Sequence, residues 1–124
     1  MGIADQINAL RRGFPDCRIA TFADLASGLD LFTSAPSRPP QEKVDALCAR
    51  ARDLLHPETQ ATAAALLGSA VRHAVTPWED GLLVVVRASD DPDEVLICQC
   101  APTIDLTAFV AAAMRELATL GPVQ

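Results

Sequence analysis

Apolar positions along the chain alternate between helical and extended spacing. Residues 3–12 carry their apolar side chains at helical spacing, which predicts a short first helix. Residues 17–23 and 29–33 are rich in β-prone side chains. The turn between them contains Gly28, a residue that tolerates positive φ, so these two segments are predicted to form a β-hairpin.

The clearest amphipathic helix begins at Pro40, a residue suited to the first helical position because that position needs no N–H partner. Its apolar stripe falls at helical spacing and comprises Val44, Leu47, Cys48, Ala51, Leu54 and Leu55. Pro57 interrupts the pattern. Residues 58–67 are rich in alanine and predict a further helical piece, which Gly68 ends.

Three strands are predicted next, over residues 71–76, 82–87 and 94–100. The Asp80-Gly81 pair between the first two is a strong hairpin signal. The middle strand is apolar on both faces, which indicates that the sheet is covered on both sides. A final helix follows Pro102, and its predicted buried face comprises Leu106, Phe109, Val110, Ala113, Leu117 and Leu120.

The length and the net charge of the chain narrow the range of functions it could have. A chain of 124 residues, half of them hydrophobic, suits one domain spanning residues 1–124 with a core of its own. The net charge is −6 and Lys43 is the single lysine, so no basic stripe is available for nucleic acid or for anionic membranes. The first residues lack the pattern of a signal peptide and no apolar run approaches a bilayer span, so we expect a cytoplasmic protein.

The order helix, hairpin, helix, three-strand meander, helix resembles the Roadblock/LC7 family, of the dynein light chain and bacterial GTPase-regulator type. The residues that carry the resemblance are the hairpin segment 23–29 (Ala-Asp-Leu-Ala-Ser-Gly-Leu), the helix from Pro40, the Asp80-Gly81 turn and the closing helix. The resemblance implies an α+β fold with three layers, α/β/α, around a central five-stranded antiparallel sheet, Roadblock/profilin-like. It places the middle helix on one face and the first and last helices on the other.

The resemblance also implies a function without catalysis: a homodimeric scaffold or regulator, or a heterodimer with a paralogue, serving a partner such as a small Ras-like GTPase. Such domains pair through the third strand and the middle helix. The interface expected here comprises Val44, Leu47, Ala51, Val71, His73 and Val75. The composition of the third strand supports pairing independently of the resemblance. This strand contains a single charged residue, Arg72, and an edge strand with so little charge must be covered or paired. Segment 57–68 is extra to the family pattern and could cover that edge.

Cys98 and Cys100 are the closely spaced pair in the sequence that most resembles a metal-binding or redox motif. On a strand they share a face with each other and with Leu96, which points to the core. A structural zinc site needs a second chelating pair, and none is evident. Cys17 and Cys48 also lie within apolar patterns, so all four cysteines are predicted to be buried, reduced thiols.

No catalytic, cofactor-binding or metal-binding residue is predicted. A catalytic role for His73 as a base would require a nucleophile and an orienting group, and the sequence indicates neither. The glycines are too widely spaced to form a nucleotide-binding loop. Trp78 is expected in a turn, either as an exposed interface anchor or folded over the sheet edge. Two alternative functions stay open: a small-molecule-sensing profilin/GAF-like domain, and a metal or redox protein that uses the cysteine pair.

Overall fold

The computed structural model describes residues 2–55, 72–87 and 93–119. Within these ranges it has three helices and five strands. In chain order they are α1 (Ile3–Gly13), β1 (Cys17–Asp24), β2 (Leu29–Ser34), α2 (Gln41–Leu54), β3 (His73–Trp78), β4 (Gly81–Arg87), β5 (Glu94–Cys100) and α3 (Leu106–Ala118).

All five strands form one antiparallel sheet with the order β2-β1-β5-β4-β3. The last strand in the chain is therefore the central strand in space. Six of the seven β5 residues are buried, as expected for a strand covered on both faces. The α+β fold predicted from the sequence, with helices on both sides of a five-stranded sheet, is confirmed.

One face of the sheet packs against α1 and α3. Its core includes Phe22, Val84, Leu96 and Phe109, which are all almost fully buried. The Phe109 ring meets Phe14 edge-on, with ring centroids 5.1 Å apart. Further members of this cluster are Ile7, Leu10, Ala20, Val86, Val110, Ala113 and Leu117.

Among the described elements, α2 is the one helix that packs against the other face. The apolar stripe predicted from helical spacing is the stripe that lies on the sheet, with Val44, Leu47 and Ala51 buried against strand residues such as Val85 and Ile97. The helix begins after Pro40, which serves as its N-cap instead of its first helical residue. This single layer leaves the opposite face of α2 open within the described part of the chain.

The third strand differs from its predicted bounds. The sequence predicts a strand over residues 71–76 followed by a turn that contains Pro77 and Trp78. In the structure β3 extends to Trp78, and only Glu79 and Asp80 form the turn. Proline fits here because β3 is an edge strand, where one side of the backbone needs no ladder hydrogen bond.

The hairpin turn also differs from the turn that the Asp80-Gly81 pair predicts, in which the glycine would adopt a positive φ. Positive φ falls on Glu79, at 52°, and not on Gly81. Gly81 is required for another reason, because a Cβ there would overlap the carbonyl oxygen of Cys100 on β5.

Several predictions fall on undescribed positions. The helical piece at residues 58–67 and the interface residue Val71 lie outside the described residues, as does Leu120 at the end of the last helix.

Candidate functional site

Strand β3 is one of the two edges of the sheet. In the described part of the chain it is hydrogen-bonded to β4 alone. Side chains alternate along it: His73, Val75 and Pro77 are exposed, whereas the residues between them are half-buried toward α2. Val75 is 37% exposed, which makes it one of the few large apolar side chains open to solvent in the described residues.

The backbone of β3 alternates in the same way. The Arg87 N–H donates to the Arg72 carbonyl at 2.8 Å, so residue 72 directs its hydrogen-bonding groups toward β4. In an antiparallel pair, neighbouring residues direct these groups to opposite sides. His73 and Val75 therefore direct their N–H and C=O groups away from the sheet. Pro77 has the same direction but no N–H, so it ends the outward donor row.

Three of the expected interface residues lie elsewhere. Val44, Leu47 and Ala51 are 3%, 0% and 0% exposed and pack on the chain's own sheet. Side chains already buried within one chain offer no surface to a second, so these three are assigned to the core. The spacing of apolar residues identified the stripe of α2 that faces its own sheet, whereas a partner helix would meet the opposite stripe.

That opposite stripe of α2 is exposed and mixed in character. It includes the small residues Ala46 and Ala49, which would permit close approach of another helix, flanked by charged side chains. Sequence periodicity alone did not nominate these positions, because alanine is compatible with either face of an amphipathic helix. The exposed residues of α2 are Gln41, Glu42, Asp45, Ala46, Ala49, Arg52 and Asp53.

Trp78 lies on the α2 side of β3 and not in a turn. Its ring is half-buried against the α2-side core. Its indole N–H is buried and has no hydrogen-bond partner among the described residues. A buried indole N–H normally finds an acceptor, so this side chain is incompletely satisfied within the described chain.

A small polar network fixes the β3–β4 hairpin to the start of α2. The side-chain amide of Gln99, on β5, donates to a Glu79 carboxylate oxygen at 3.2 Å. The same oxygen lies 3.6 Å from the Lys43 ammonium nitrogen. Gln99 is 2% exposed, so this contact gives a buried amide a charged partner. The edge strand and α2 are thereby held as one surface.

The cysteines lie in the core. Cys17, Cys98 and Cys100 belong to the cluster beneath α1 and α3, and all four cysteines are free and buried. The hydrogen bond with Cys17, followed by burial, raises the pKa of the Cys100 thiol far above its usual range. Burial likewise raises the pKa of Cys48. Thiols held in the protonated form are poor nucleophiles and poor metal ligands.

Two further observations concern metal binding and membrane crossing. Among residues 2–55, 72–87 and 93–119, no group of three or more His, Cys, Asp or Glu side chains is arranged to hold a metal ion. The helices in these ranges are also too short or too polar to cross a membrane. What the site does offer is backbone hydrogen bonding and contact area.

No family model matches the sequence, and no curated protein matches it either. Solved structures do resemble it. A Roadblock/LC7 domain from Streptomyces avermitilis superposes with a TM-score of 0.77 at 17% identity, over 97% of this chain and 95% of that one. The gliding protein MglB from Thermus thermophilus gives a TM-score of 0.66 at 22% identity, over 94% of this chain and 83% of that one.

A further MglB structure, described as having a tetrameric arrangement, gives a TM-score of 0.67 at 23% identity. It covers 94% of this chain and 82% of that one. These likenesses show that the chain has the Roadblock/LC7 fold, as the sequence resemblance implied.

Proposed function

We propose that the protein is a non-catalytic interaction domain that dimerises through the outer edge of β3, and that the dimer serves as a scaffold or regulator for a partner protein. The observation that carries the proposal is the open edge, where His73 and Val75 direct their backbone groups away from the sheet. Pairing two such edges across a two-fold axis would join two five-stranded sheets into one.

The exposed stripe of α2 supports the same arrangement. It lies on the face of the sheet toward which Trp78 is directed, and the network of Lys43, Glu79 and Gln99 joins α2 to the β3 hairpin. Two copies paired at β3 would bring their α2 helices near each other on that face.

The partner, the type of dimer and the cellular compartment that we propose follow from the resemblance to the Roadblock/LC7 family. The partner is a small Ras-like GTPase, the dimer is homodimeric or formed with a paralogue, and the protein acts in the cytoplasm. Four free, buried cysteines suit a reducing compartment. The likeness to MglB, including a structure with a tetrameric arrangement, supports assembly as part of the function.

A backbone-specific variant tests the dimer. Val75→Pro removes an outward N–H that β4 does not use, as Pro77 already does naturally, so the fold should persist. Light scattering across a dilution series should show a dimer for the wild type and a dimer at least about tenfold weaker for Val75→Pro, because a lost interface hydrogen bond costs about 1.5 kcal/mol.

Val75→Thr is the matched control, since it changes the side chain and keeps the backbone donor, and it should dimerise nearly as well as the wild type. Circular dichroism establishes that each variant is folded. If Val75→Pro unfolds, Val75→Lys provides the same test by placing like charges at the edge. A wild-type protein that stays monomeric at high micromolar concentration would overturn the proposal.

A GTPase partner is tested separately with purified Ras-like GTPases from the same genome, loaded with GDP or with a non-hydrolysable GTP analogue. We expect the wild-type protein to bind one of them with a preference for one nucleotide state, and the Val75→Pro variant to bind more weakly. Equal binding by both proteins would mean that the partner does not require the dimer.

A further inference from the structure

Three of the four cysteines meet at one end of the sheet. Cys17 is the first residue of β1, and Cys98 and Cys100 lie at the end of β5. All three are buried on the face of the sheet that packs against α1 and α3, whereas Cys48 belongs to the cluster on the opposite face. The proposed dimer uses none of these three thiols.

Cys17 and Cys100 are directly opposite each other in the β1–β5 pair. The Ala101 N–H donates to the Asp16 carbonyl at 2.8 Å, which makes Cys17 and Cys100 a non-hydrogen-bonded pair of the antiparallel ladder. Such pairs bring their Cα atoms to about 4.5 Å and hold their side chains close together. A disulfide spans Cα atoms about 4.4–6.8 Å apart, so the two residues can be linked with little movement of the strands.

The other two pairings in the cluster suit a disulfide less well. Cys98 and Cys100 are two residues apart on one strand, so their Cα atoms are about 6.6 Å apart and their side chains point the same way instead of toward each other. Cys98 is opposite Ala20, which makes it a diagonal neighbour of Cys17. Diagonal positions are about 7–8 Å apart. The geometry therefore selects Cys17 and Cys100, and not the pair that spacing along the sequence suggests.

The pair lies where both strands end, so a local opening can admit a small oxidant. Beyond it, the backbone bond from Ala101 to Asp16 is supported by an exposed side-chain bond from Thr103 to Asp16 at 3.1 Å. Strand ends of this kind open more readily than strand centres. In the closed state the hydrogen bond with Cys17, followed by burial, raises the pKa of Cys100 and keeps its thiol protonated. Oxidation should therefore be slow and should follow opening.

From this geometry we infer that Cys17 and Cys100 are a modification site for hydrogen peroxide, which converts the two thiols into a disulfide that locks β1 to β5. The Cys17 sulfur attacks one peroxide oxygen, the O–O bond breaks, and the leaving hydroxide takes the thiol proton to form water. This step leaves a sulfenic acid on Cys17.

The Cys100 sulfur then attacks the Cys17 sulfur. The S–S bond forms, the S–O bond breaks, and the leaving hydroxide takes the Cys100 proton to form a second water. Two electrons have passed from the two sulfurs to the peroxide. In a reducing compartment the pair rests as thiols and is oxidised when peroxide appears. The inference goes beyond the proposed function, because it requires neither the β3 edge nor a partner protein.

The test oxidises the whole chain in its folded state. Fully reduced wild-type protein is incubated with millimolar hydrogen peroxide at neutral pH, the remaining thiols are alkylated in denaturant, and the products are examined by mass spectrometry. We expect a monomeric product that has lost two hydrogens and whose proteolytic fragments link Cys17 to Cys100. The same treatment in urea should give mixed pairings, because the fold no longer holds these two residues opposite each other.

Two substitutions on β5 give a matched comparison, since each removes one buried thiol from the same cluster. Cys98→Ala should leave the link intact, whereas Cys100→Ala should abolish it. Circular dichroism establishes that both variants are folded. If Cys100→Ala does not fold, Cys17→Ala removes the other member of the pair and provides the same test.

The lock itself is measured by thermal unfolding. The oxidised wild type should melt at least about 5 °C higher than the reduced protein, because the link closes a long loop of the unfolded chain. A thiol reductant should reverse the shift, and peroxide should not produce it in Cys100→Ala. Val75→Pro should form the link as readily as the wild type, so failure of the proposed dimer is seen independently of this test.

Four products would overturn the inference: unchanged thiols after prolonged exposure, a dominant link to Cys98, a disulfide between two chains, or sulfinic acid on Cys17 without a link. A Cys17–Cys100 link that leaves the melting temperature unchanged would overturn the lock.

Discussion

At the scale of single residues, Gly81 shows why a glycine can be required where φ is ordinary. A Cβ at this position would overlap the backbone carbonyl oxygen of Cys100, and backbone cannot move aside as a flexible side chain can. Gly81→Ala should therefore lower the free energy of unfolding by about 1–3 kcal/mol, the usual cost of overpacking. Urea denaturation followed by circular dichroism measures the change.

Gly13→Ala is the matched control, because a Cβ on this last residue of α1 would meet nothing within 4 Å. It should leave stability unchanged or raise it slightly, since alanine favours the helix. Equal destabilisation by the two substitutions would contradict the packing explanation for Gly81.

The buried thiols predict a specific dependence of stability on pH. An unperturbed cysteine ionises near pH 9.0, whereas the folded state keeps the Cys100 proton to a much higher pH because its pKa is raised. Above pH 9.0 the unfolded state binds fewer protons than the folded state. The free energy of unfolding should then fall by about 1.4 kcal/mol per pH unit for each such thiol.

Cys100→Ala removes one of these groups and should make the alkaline decline shallower by about that amount. Between about pH 6 and about pH 8 the Cys100 thiol is mostly uncharged in the folded and the unfolded state, so the difference in stability between wild type and variant should be constant. Parallel declines above pH 9.0 would show that Cys100 ionises normally in the folded state.

At the scale of elements, α3 owes its start to a side-chain cap. The Asp105 carboxylate accepts a hydrogen bond from the Ala108 N–H at 3.2 Å. Asp105→Ala should lower the free energy of unfolding by about 1 kcal/mol. Thr107→Ala, at an exposed position in the first turn of the same helix, should change it by less than about 0.5 kcal/mol. Similar losses in both variants would rule out the cap as the cause.

The sequence predicted the helices and strands better than it predicted which of their faces are open to a partner protein. Helix α2 and the two hairpins follow directly from apolar spacing and turn residues, because burial within one chain imposes those patterns. The interface expected on α2 from the family resemblance comprises Val44, Leu47 and Ala51, and these residues face the chain's own sheet. The exposed side of a helix obeys no comparable rule, so apolar spacing does not indicate which of its residues would face a partner.

Strand β3 was predicted with the wrong end for a related reason. Proline normally argues against a strand, and only the position of β3 at the sheet edge makes Pro77 acceptable. Edge position depends on the order of strands in space, in which β5 is inserted between β1 and β4. No local signal in the sequence contains that order.

At the scale of the whole molecule, the sheet has two open edges with different characters within the described residues. The β3 edge offers a short outward row of backbone groups beside a half-buried tryptophan, which suits a second copy of the same surface. The β2 edge offers two exposed leucines beside a groove. A dimer joined at β3 would leave one β2 edge at each end of its continuous sheet.

The most direct test of dimerisation at β3 is site-specific cross-linking. The four native cysteines are buried, so a cysteine introduced at an exposed position should be the reactive one. Val75→Cys places a thiol on the β3 edge and Leu31→Cys places one on the β2 edge. With a short thiol-specific cross-linker at micromolar protein, Val75→Cys should give a covalent dimer and Leu31→Cys should stay monomeric. Cross-linking at Leu31→Cys alone, or equally at both positions, would contradict dimerisation through β3.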